Sequence, residues 1–395
     1  MSRVTKVNQR PLRPDGSHVL YWMTANRRVR SNYALDRAVA LAEQLAVPLV
    51  VLEALRCDYQ WASDRHHAFV LAGMADNRRV LADAGVLHHA WVEPKVGASK
   101  GLIRAWAERA CAVVTDDHPG FFYPRMLARA ASELPCQLEA VDSVGLLPMA
   151  AAGRIFTTAA SFRRMLHKKL PDALRSPPRR QLSLSPGRQS AVMPAHIAAR
   201  WPQASVQMLA AAPAQLATLP IDHGVRPVAL RGGSDSGVQR LNAFVEQRLG
   251  RYGDDRNHPQ RDGSSGLSPY LHFGQIGAHE VFAAVTEREG WDLGQLGPVA
   301  TGSRAGWWSM SPQAEAFLDQ LVTWRELGFN MYRWHREPER YDSLPQWALR
   351  TLDEHASDQR PYTYTLEQFL RSSTHDPLWN AANNQLRLEG KMHNY

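Results

Sequence analysis

The sequence predicts two units in series: a doubly wound, parallel α/β domain of the Rossmann-like type, followed by an all-helical domain. Residues 1–142 alternate short, β-prone apolar runs with segments of helical spacing. From about residue 237 onward, the apolar residues keep helical spacing almost throughout. Residues 143–225 are weakly periodic and carry many proline, alanine and arginine residues, which is typical of a linker with short helices. We therefore expect domains at 1–142 and 226–395, joined by a basic, proline-rich linker at 143–225.

The strands are predicted from short runs of apolar and β-branched residues. The run PLVVL at 48–52 is apolar without interruption, as in a strand that is covered on both faces. The predicted strands are His18–Met23, Pro48–Leu52, Val86–Val92, Cys111–Thr115 and Gln137–Val141. No glycine-rich phosphate fingerprint accompanies them, so the α/β pattern alone names no ligand.

The helices are predicted from apolar residues that recur three and four positions apart. Ser311-Pro312 and Asp376-Pro377 each combine an N-cap residue with proline at the first helical position. Gly390 is expected just beyond the end of the last helix. The predicted helices are Asn32–Leu45, His66–Asp83, Leu102–Arg109, Met126–Leu134, Leu241–Leu249, Ile276–Glu289, Ala314–Tyr332 and Leu378–Leu388.

Length and composition exclude several classes of protein. A chain of 395 residues is too long for one ordinary core. No apolar run approaches the ~20 residues of a membrane span, and the polar residues 1–17 lack the apolar centre of a secretory signal. The cysteines, Cys57, Cys111 and Cys136, are far apart and odd in number, so we expect buried, reduced thiols in a cytoplasmic protein.

The positive charge is concentrated in one stretch. The chain has a formal net charge of +8, and residues 154–188 contain nine Lys or Arg residues against the single acid Asp172. Such a stretch favours a polyanion such as DNA. Its prolines are equally typical of a solvated linker.

The first motif is the loop Gly263–Ser268, which precedes Pro269 and a helical pattern. A loop of small residues exposes backbone N–H groups and hydroxyls at a helix start, an arrangement that accepts phosphate oxygens. The alternative is an ordinary connecting loop.

The second motif is Phe317–Trp334. On a regular helix, Gln320, Trp324, Gly328 and Met331 share a face that offers an amide, an indole and a gap. A flat ring could lie against this face. The alternative is a core helix with an aromatic stripe.

The third motif is the terminal segment 374–395, THDPLWNAANNQLRLEGKMHNY. Trp379 belongs to the apolar stripe of its helix, and the tail that follows brings Lys391, His393 and Asn394 close together. Polar groups beside a tryptophan stripe suit a cofactor pocket or a DNA surface.

In their order, these motifs resemble the photolyase/cryptochrome family. The segments that carry the resemblance are GLSPYLHFG, WRELGFN, DPLWNAA and EGKMH. YWM at 21–23 and RVRSNYAL at 28–35 are similar to the N-terminal signature of class II cyclobutane pyrimidine dimer photolyases. The resemblance runs from about Tyr21 to the last residue.

The resemblance implies an antenna-type α/β domain, a helical domain that holds FAD, and light-driven repair of pyrimidine dimers in DNA by a monomer associated with the nucleoid. It implies a second chromophore, a deazaflavin or a folate, in some members, but no motif for one is recognisable here. For FAD binding it indicates Tyr252, Ser264, Ser265, Gly266, Leu267, Ser268, Trp324 and Arg325. For catalysis and electron transfer it indicates Gln320, Trp324 and Trp379. For DNA it indicates Arg256, Arg387, Lys391, Met392 and Asn394.

Two departures from the family pattern shape the expectations. The family usually has glutamate where this chain has Gln320, and an amide cannot supply a charge or a carboxyl proton. The family pattern also continues past the position of Tyr395, so we expect a helical domain incomplete at its C-terminal end, with weakened FAD binding and repair. The alternatives are a cryptochrome-like flavin photoreceptor and a non-catalytic nucleotide-binding module with a helical interaction domain.

Overall fold

The computed structural model of the chain describes residues 2–185, 190–335 and 337–393. The first part is a six-stranded sheet in the order β1-β6-β5-β2-β3-β4, in which β1 is antiparallel to β6 and the other pairs are parallel. The strands are β1 Val4–Lys6, β2 His18–Met23, β3 Leu49–Leu55, β4 Leu87–Val92, β5 Ala110–Asp116 and β6 Gln137–Val141. Along the parallel strands, the chain begins at the central strand β2, adds β3 and β4 on one side, and then adds β5 and β6 on the other side. The predicted doubly wound sheet is therefore confirmed.

Helices are distributed along the rest of the chain. They are α1 Tyr33–Gln44, α2 Asp64–Asp83, α3 Leu102–Ala107, α4 Tyr123–Glu133, α5 Ala159–Leu174, α6 Ala195–Arg200, α7 Val206–Leu209, α8 Pro213–Leu216, α9 Ser234–Gln247, α10 Tyr252–Asp255, α11 Ser268–His272, α12 Ala278–Glu289, α13 Pro312–Leu318, α14 Arg325–Trp334, α15 Gln346–Glu354, α16 Leu366–Leu370 and α17 Pro377–Glu389. The predicted all-helical second half is confirmed.

The alternation of side chains along β2 produces a core on each face of the sheet. Tyr21 packs in the cluster that contains Leu35 of α1. Its neighbour Trp22 belongs to the opposite cluster, with Trp106 of α3. The helical half has a core of its own, in which Phe244 of α9 and Phe317 of α13 are fully enclosed.

Three predictions about the elements were wrong. The strand β1 was missed because its residues are exposed and lie in the segment interpreted as polar. The linker was expected to hold only short helices, but α5 is 16 residues long and continues through Pro171. Its apolar face, including Phe162 and Leu166, belongs to the core of the helical half.

The third error concerns the helix predicted at Ala314–Tyr332. The structure divides it into α13, a π-helical turn at Asp319–Trp324 (the π turn) and α14. The amide of Arg325 donates to the carbonyl of Gln320, five residues back, so the wider turn adds a residue that apolar spacing does not reveal.

The three cysteines are buried and free, as expected. Among the helices that the structure describes, none is both long and apolar enough to span a bilayer.

Candidate functional site

The predicted phosphate-binding loop turns at a glycine in the left-handed region. Gly266 adopts φ +68°, and a Cβ at this position would collide with Nε of Arg240. That Nε donates to the carbonyl of Ser265 at 2.9 Å, and Leu267 is fully buried below the loop. Within the described residues, the amides of Ser264, Ser265 and Gly266 have no acceptor. Three N–H groups and the neighbouring hydroxyls are thus available to phosphate oxygens.

Positive side chains gather beside this loop around Asp262. The carboxylate accepts from Arg248 at 2.8 Å and from Lys391 at 3.1 Å, and Arg240 lies 3.8 Å away. Burial opposes ionisation of Asp262, but the Lys391 hydrogen bond and the three cations hold its pKa below the ordinary value. Among the residues that the structure describes, none accepts from the buried Nε of Arg248, so this donor remains for a further acceptor.

Tyr252 and Arg256 adjoin the same cluster. The Tyr252 ring is buried against Phe244 and Phe317, and the Arg256 guanidinium lies 5.7 Å from its centre. The imidazole of His393 lies 3.0 Å from the carbonyl of Arg256. The structure therefore brings Tyr252, Arg256 and the tail after α17 to the predicted loop.

The side chains of the π turn differ in their exposure to solvent. Asp319 is buried, Gln320 is half-buried, and Trp324 is 51% exposed. One turn later, nothing lies within 4 Å of a Cβ built on Gly328. In the described parts of the chain, the side-chain amide of Gln320 forms no hydrogen bond, and no aromatic ring contacts Trp324. This indole and the open space beside it remain available to a flat ligand.

Asp319 joins the π turn to α5. Its carboxylate accepts from Nε of Arg163 at 2.8 Å, and Nη1 of Arg163 donates to the carbonyl of Gly302 at 3.0 Å. Both side chains of the pair are largely buried. Arg163 belongs to the basic stretch 154–188, so this cation is a structural partner and not a solvated charge.

Arg325 faces the α/β half of the molecule. Its Nη1 donates to the carbonyl of Val144 at 2.9 Å, and its guanidinium lies 4.8 Å from the Phe329 ring centre. Burial lowers its pKa to about 10, although Glu326 opposes the shift. Its role in a flavin pocket stays a prediction.

Glu326 is a buried acid that the sequence reasoning missed. Its carboxylate accepts from the amides of Leu146 at 2.6 Å and Leu147 at 3.3 Å. A Cβ on Gly145 would lie 2.6 Å from the carboxyl carbon, so only glycine fits there. Burial raises the pKa of Glu326 to about 7 despite these donors.

Glu326→Gln is expected to flatten part of the pH dependence of stability. Between the ordinary pKa of 4.5 and the folded value of about 7, the folded chain keeps a proton that the unfolded chain loses. Stability from this group is therefore present below pH 4.5 and is lost as the pH rises through 7. The shift corresponds to on the order of 3 kcal/mol.

Urea unfolding of both proteins from pH 5 to pH 8 measures this effect. The variant should gain stability relative to the parent as the pH rises. Glu133→Gln removes an exposed acid of α4 and should show no such trend. Parallel profiles for the parent and Glu326→Gln would contradict the assignment.

The third motif forms the predicted helix, α17. Asp376 caps it by accepting from the amides of Leu378 and Trp379, and Gly390 ends it at φ +69°, as expected. Trp379 is 38% exposed and contacts the Phe369 ring at 5.2 Å. Neither Trp379 nor Trp324 is joined by a described ring contact or hydrogen bond to the loop cluster.

The remaining predicted DNA contacts lie on this segment. Met392 is exposed, and Arg387 donates to the side chain of Asn384 at 3.2 Å. Asn394 lies outside the described residues. The assignments of all these residues to DNA stay predictions.

A cavity of about 650 Å³ lies elsewhere, between α2 and residues 206–232. None of the predicted site residues lines it. Its walls are mainly apolar and include Phe69 and Leu209.

Comparison with known proteins identifies the family of this chain. No family model matches the sequence. A deoxyribodipyrimidine photo-lyase from Arabidopsis thaliana is 30% identical over 414 residues, which cover 99% of this chain and 74% of the relative. The chain belongs to the photolyase/cryptochrome family.

Other relatives agree with this assignment. The deoxyribodipyrimidine photo-lyase of Methanothermobacter thermautotrophicus is 29% identical, with coverage of 96% of this chain and 76% of the relative. That of Potorous tridactylus is 28% identical, and here the chain spans 65% of the relative.

Solved structures of the family share the fold. A class III photolyase from Agrobacterium tumefaciens superposes with a TM-score of 0.62 at 17% identity, over 96% of this chain and 70% of that one. A Synechocystis cryptochrome superposes with a TM-score of 0.60 at 16% identity, over 95% and 72%.

Proposed function

We propose that this chain is a deoxyribodipyrimidine photo-lyase of class II, which repairs cyclobutane pyrimidine dimers in DNA with light. The observation that carries the proposal is the similarity, along nearly the whole chain, to relatives named deoxyribodipyrimidine photo-lyase. The signature at Tyr21–Met23 and Arg28–Leu35 favours class II.

The residues present suit the phosphate end of FAD. The unpaired amides of Ser264, Ser265 and Gly266 would donate to its phosphate oxygens, and Arg248 would add a cation with a free Nε–H. Trp324, which is 51% exposed, would offer an aromatic surface to a flat ring. The Tyr252 ring is buried against Phe244 and Phe317, so its contact with FAD stays a prediction. Reduced FAD, when bound, supplies an electron under illumination.

The protein would contribute position and electrostatics. A dimer must leave the base stack to reach a cofactor, and an exposed indole such as Trp324 can stack on a base that has been flipped out. Arg256, Arg387 and Lys391 would attract the phosphates that flank it. We propose a monomer in the cytoplasm, bound to the nucleoid through DNA.

The test is light-dependent loss of thymine dimers from ultraviolet-treated DNA, with a dark control and the flavin absorbance of the purified protein. Loss in light alone supports repair. Bound flavin without repair favours a photoreceptor, the alternative suggested by the likeness to a cryptochrome fold. Absence of both flavin and damaged-DNA binding favours the nucleotide-binding module.

The flavin-to-protein ratio also tests the expected weakening of FAD binding. A stoichiometric ratio would contradict it.

Gln320→Glu is expected to raise the rate of repair about fivefold, since a carboxyl group forms a hydrogen bond to a pyrimidine edge that is stronger than that of an amide. The rate of dimer loss at fixed light dose measures the effect. Gln346→Glu makes the same chemical change at the exposed start of α15 and should leave the rate unchanged. Equal rates for the parent and Gln320→Glu would refute the proposed role of this position.

A further inference from the structure

A single arginine of the α/β half holds the end of α17. Arg65, in the first turn of α2, donates from all three of its nitrogen positions to carbonyl oxygens. Nε donates to Arg226 at 2.9 Å, Nη1 to Leu386 at 3.1 Å and Nη2 to Arg387 at 2.6 Å. Two of these acceptors lie in the last turn of α17, more than 300 positions along the chain.

The geometry is that of a helix cap supplied from a distant element. The last carbonyls of a helix lack partners within the helix, and its C-terminal end carries partial negative charge. A guanidinium supplies donors and positive charge at this end. Within the described residues the Arg387 carbonyl has no amide donor, whereas the Leu386 carbonyl also accepts from the amide of Gly390 at 3.0 Å. Within the described residues, Arg65 forms no ion pair with an acid, so the α17 carbonyls are its principal electrostatic partners.

Polar contacts matter more for α17 than for most helices of the chain. None of its residues is buried, so little apolar packing fixes its position. At its end, a Cβ on Gly390 would lie 3.4 Å from Val228 and 3.6 Å from Cδ of Arg65. The turn at Gly390 therefore lies directly against the Arg65 side chain.

The segment that Arg65 holds continues to the phosphate-binding loop. Lys391 donates to Asp262 at 3.1 Å, and His393 lies 3.0 Å from the Arg256 carbonyl. Asp262 immediately precedes the loop Gly263–Ser268. Residues 386–393 thus form a bridge from α2 to the loop.

We propose that Arg65 is a positioning residue, which fixes residues 386–393 beside the Ser264–Ser268 loop and so links the α/β half to the flavin-binding half. It acts through the α17 carbonyls and does not itself reach the ligand. Its effect on flavin binding rests on the proposed function, whereas its effect on the segment does not.

The test compares Arg65→Met and Arg65→Lys with Arg79→Met. Arg79 lies on the same helix and forms an exposed pair with Asp235, so its variant removes the same charge without touching α17. Amide hydrogen exchange is measured for peptides covering 386–393 and 262–268 in the flavin-free protein. FAD dissociation constants are measured by flavin fluorescence.

Arg65→Met should speed exchange about tenfold at the hydrogen-bonded amides of both peptides, which in 262–268 are those of Gly263 and Leu267. It should also weaken FAD binding about tenfold, since it removes three hydrogen bonds from a charged donor. Arg65→Lys keeps the positive charge but not the planar set of guanidinium donors. Its exchange rates and FAD dissociation constant should lie between those of the parent and of Arg65→Met. Arg79→Met should match the parent.

The outcomes separate this inference from the proposed function. Faster exchange at 386–393 alone would show a local cap and overturn the link to the loop. Exchange equal to that of Arg79→Met would overturn the inference altogether. A parent that binds no FAD would count against the proposed function, while the exchange of the two peptides would still decide the role of Arg65.

Discussion

Asp319→Ala is expected to lower the free energy of unfolding by about 3–5 kcal/mol, because it leaves the buried Arg163 guanidinium without its charge partner. Arg163 would retain the carbonyl of Gly302 but no acid. Since Asp319 begins the π turn, the loss should also reach the motif residues Gln320 and Trp324. Urea unfolding followed by circular dichroism measures the change.

The matched control is Asp235→Ala. It breaks the exposed pair with Arg79 and should cost no more than about 1 kcal/mol. A double variant, Asp319→Leu with Arg163→Met, removes both charges and should recover much of the loss. If Asp319→Ala and Asp235→Ala cost the same, the pair does not stabilise the fold.

Trp324→Ala is expected to weaken binding of dimer-containing DNA by roughly 5- to 150-fold, the loss of about 1–3 kcal/mol of stacking on one base. The indole suits this role because it is half exposed, has no described aromatic partner and lies one turn before the open space at Gly328. Trp324→Phe should retain most of the affinity. Dissociation constants for a dimer-containing oligonucleotide, at one salt concentration, measure the effect.

Undamaged DNA of the same length shows whether the loss is specific to the dimer. Trp347→Ala is the control variant, because Trp347 is 67% exposed on α15, outside the motif. Its affinity for both DNAs should match the parent. A Trp324→Ala protein that binds the dimer as tightly as Trp347→Ala would remove Trp324 from the substrate surface.

Much of the fold could be predicted from local patterns. The strands β2 and β6 have the predicted bounds, and α17 has the predicted cap residues at both ends. These features are encoded within a few residues, since a strand needs its apolar run and a helix end needs its cap. The loop at Ser264–Ser268 is predicted in the same way, from small residues before a proline, and its role in phosphate binding stays a prediction.

What the sequence by itself determined is therefore the element order, the family motifs and the candidate residues. Only the tertiary structure showed the π turn at Asp319–Trp324 and the Arg163–Asp319 ion pair. It also showed the burial of Glu326 and the hydrogen bonds from Arg65 to the carbonyls of α17. The last three of these join groups far apart in the chain, and the spacing of residues along a chain carries no information on which distant carbonyl or carboxylate a charged side chain will meet. Burial decides those partners, because a desolvated charge must find an acceptor wherever the packing places one.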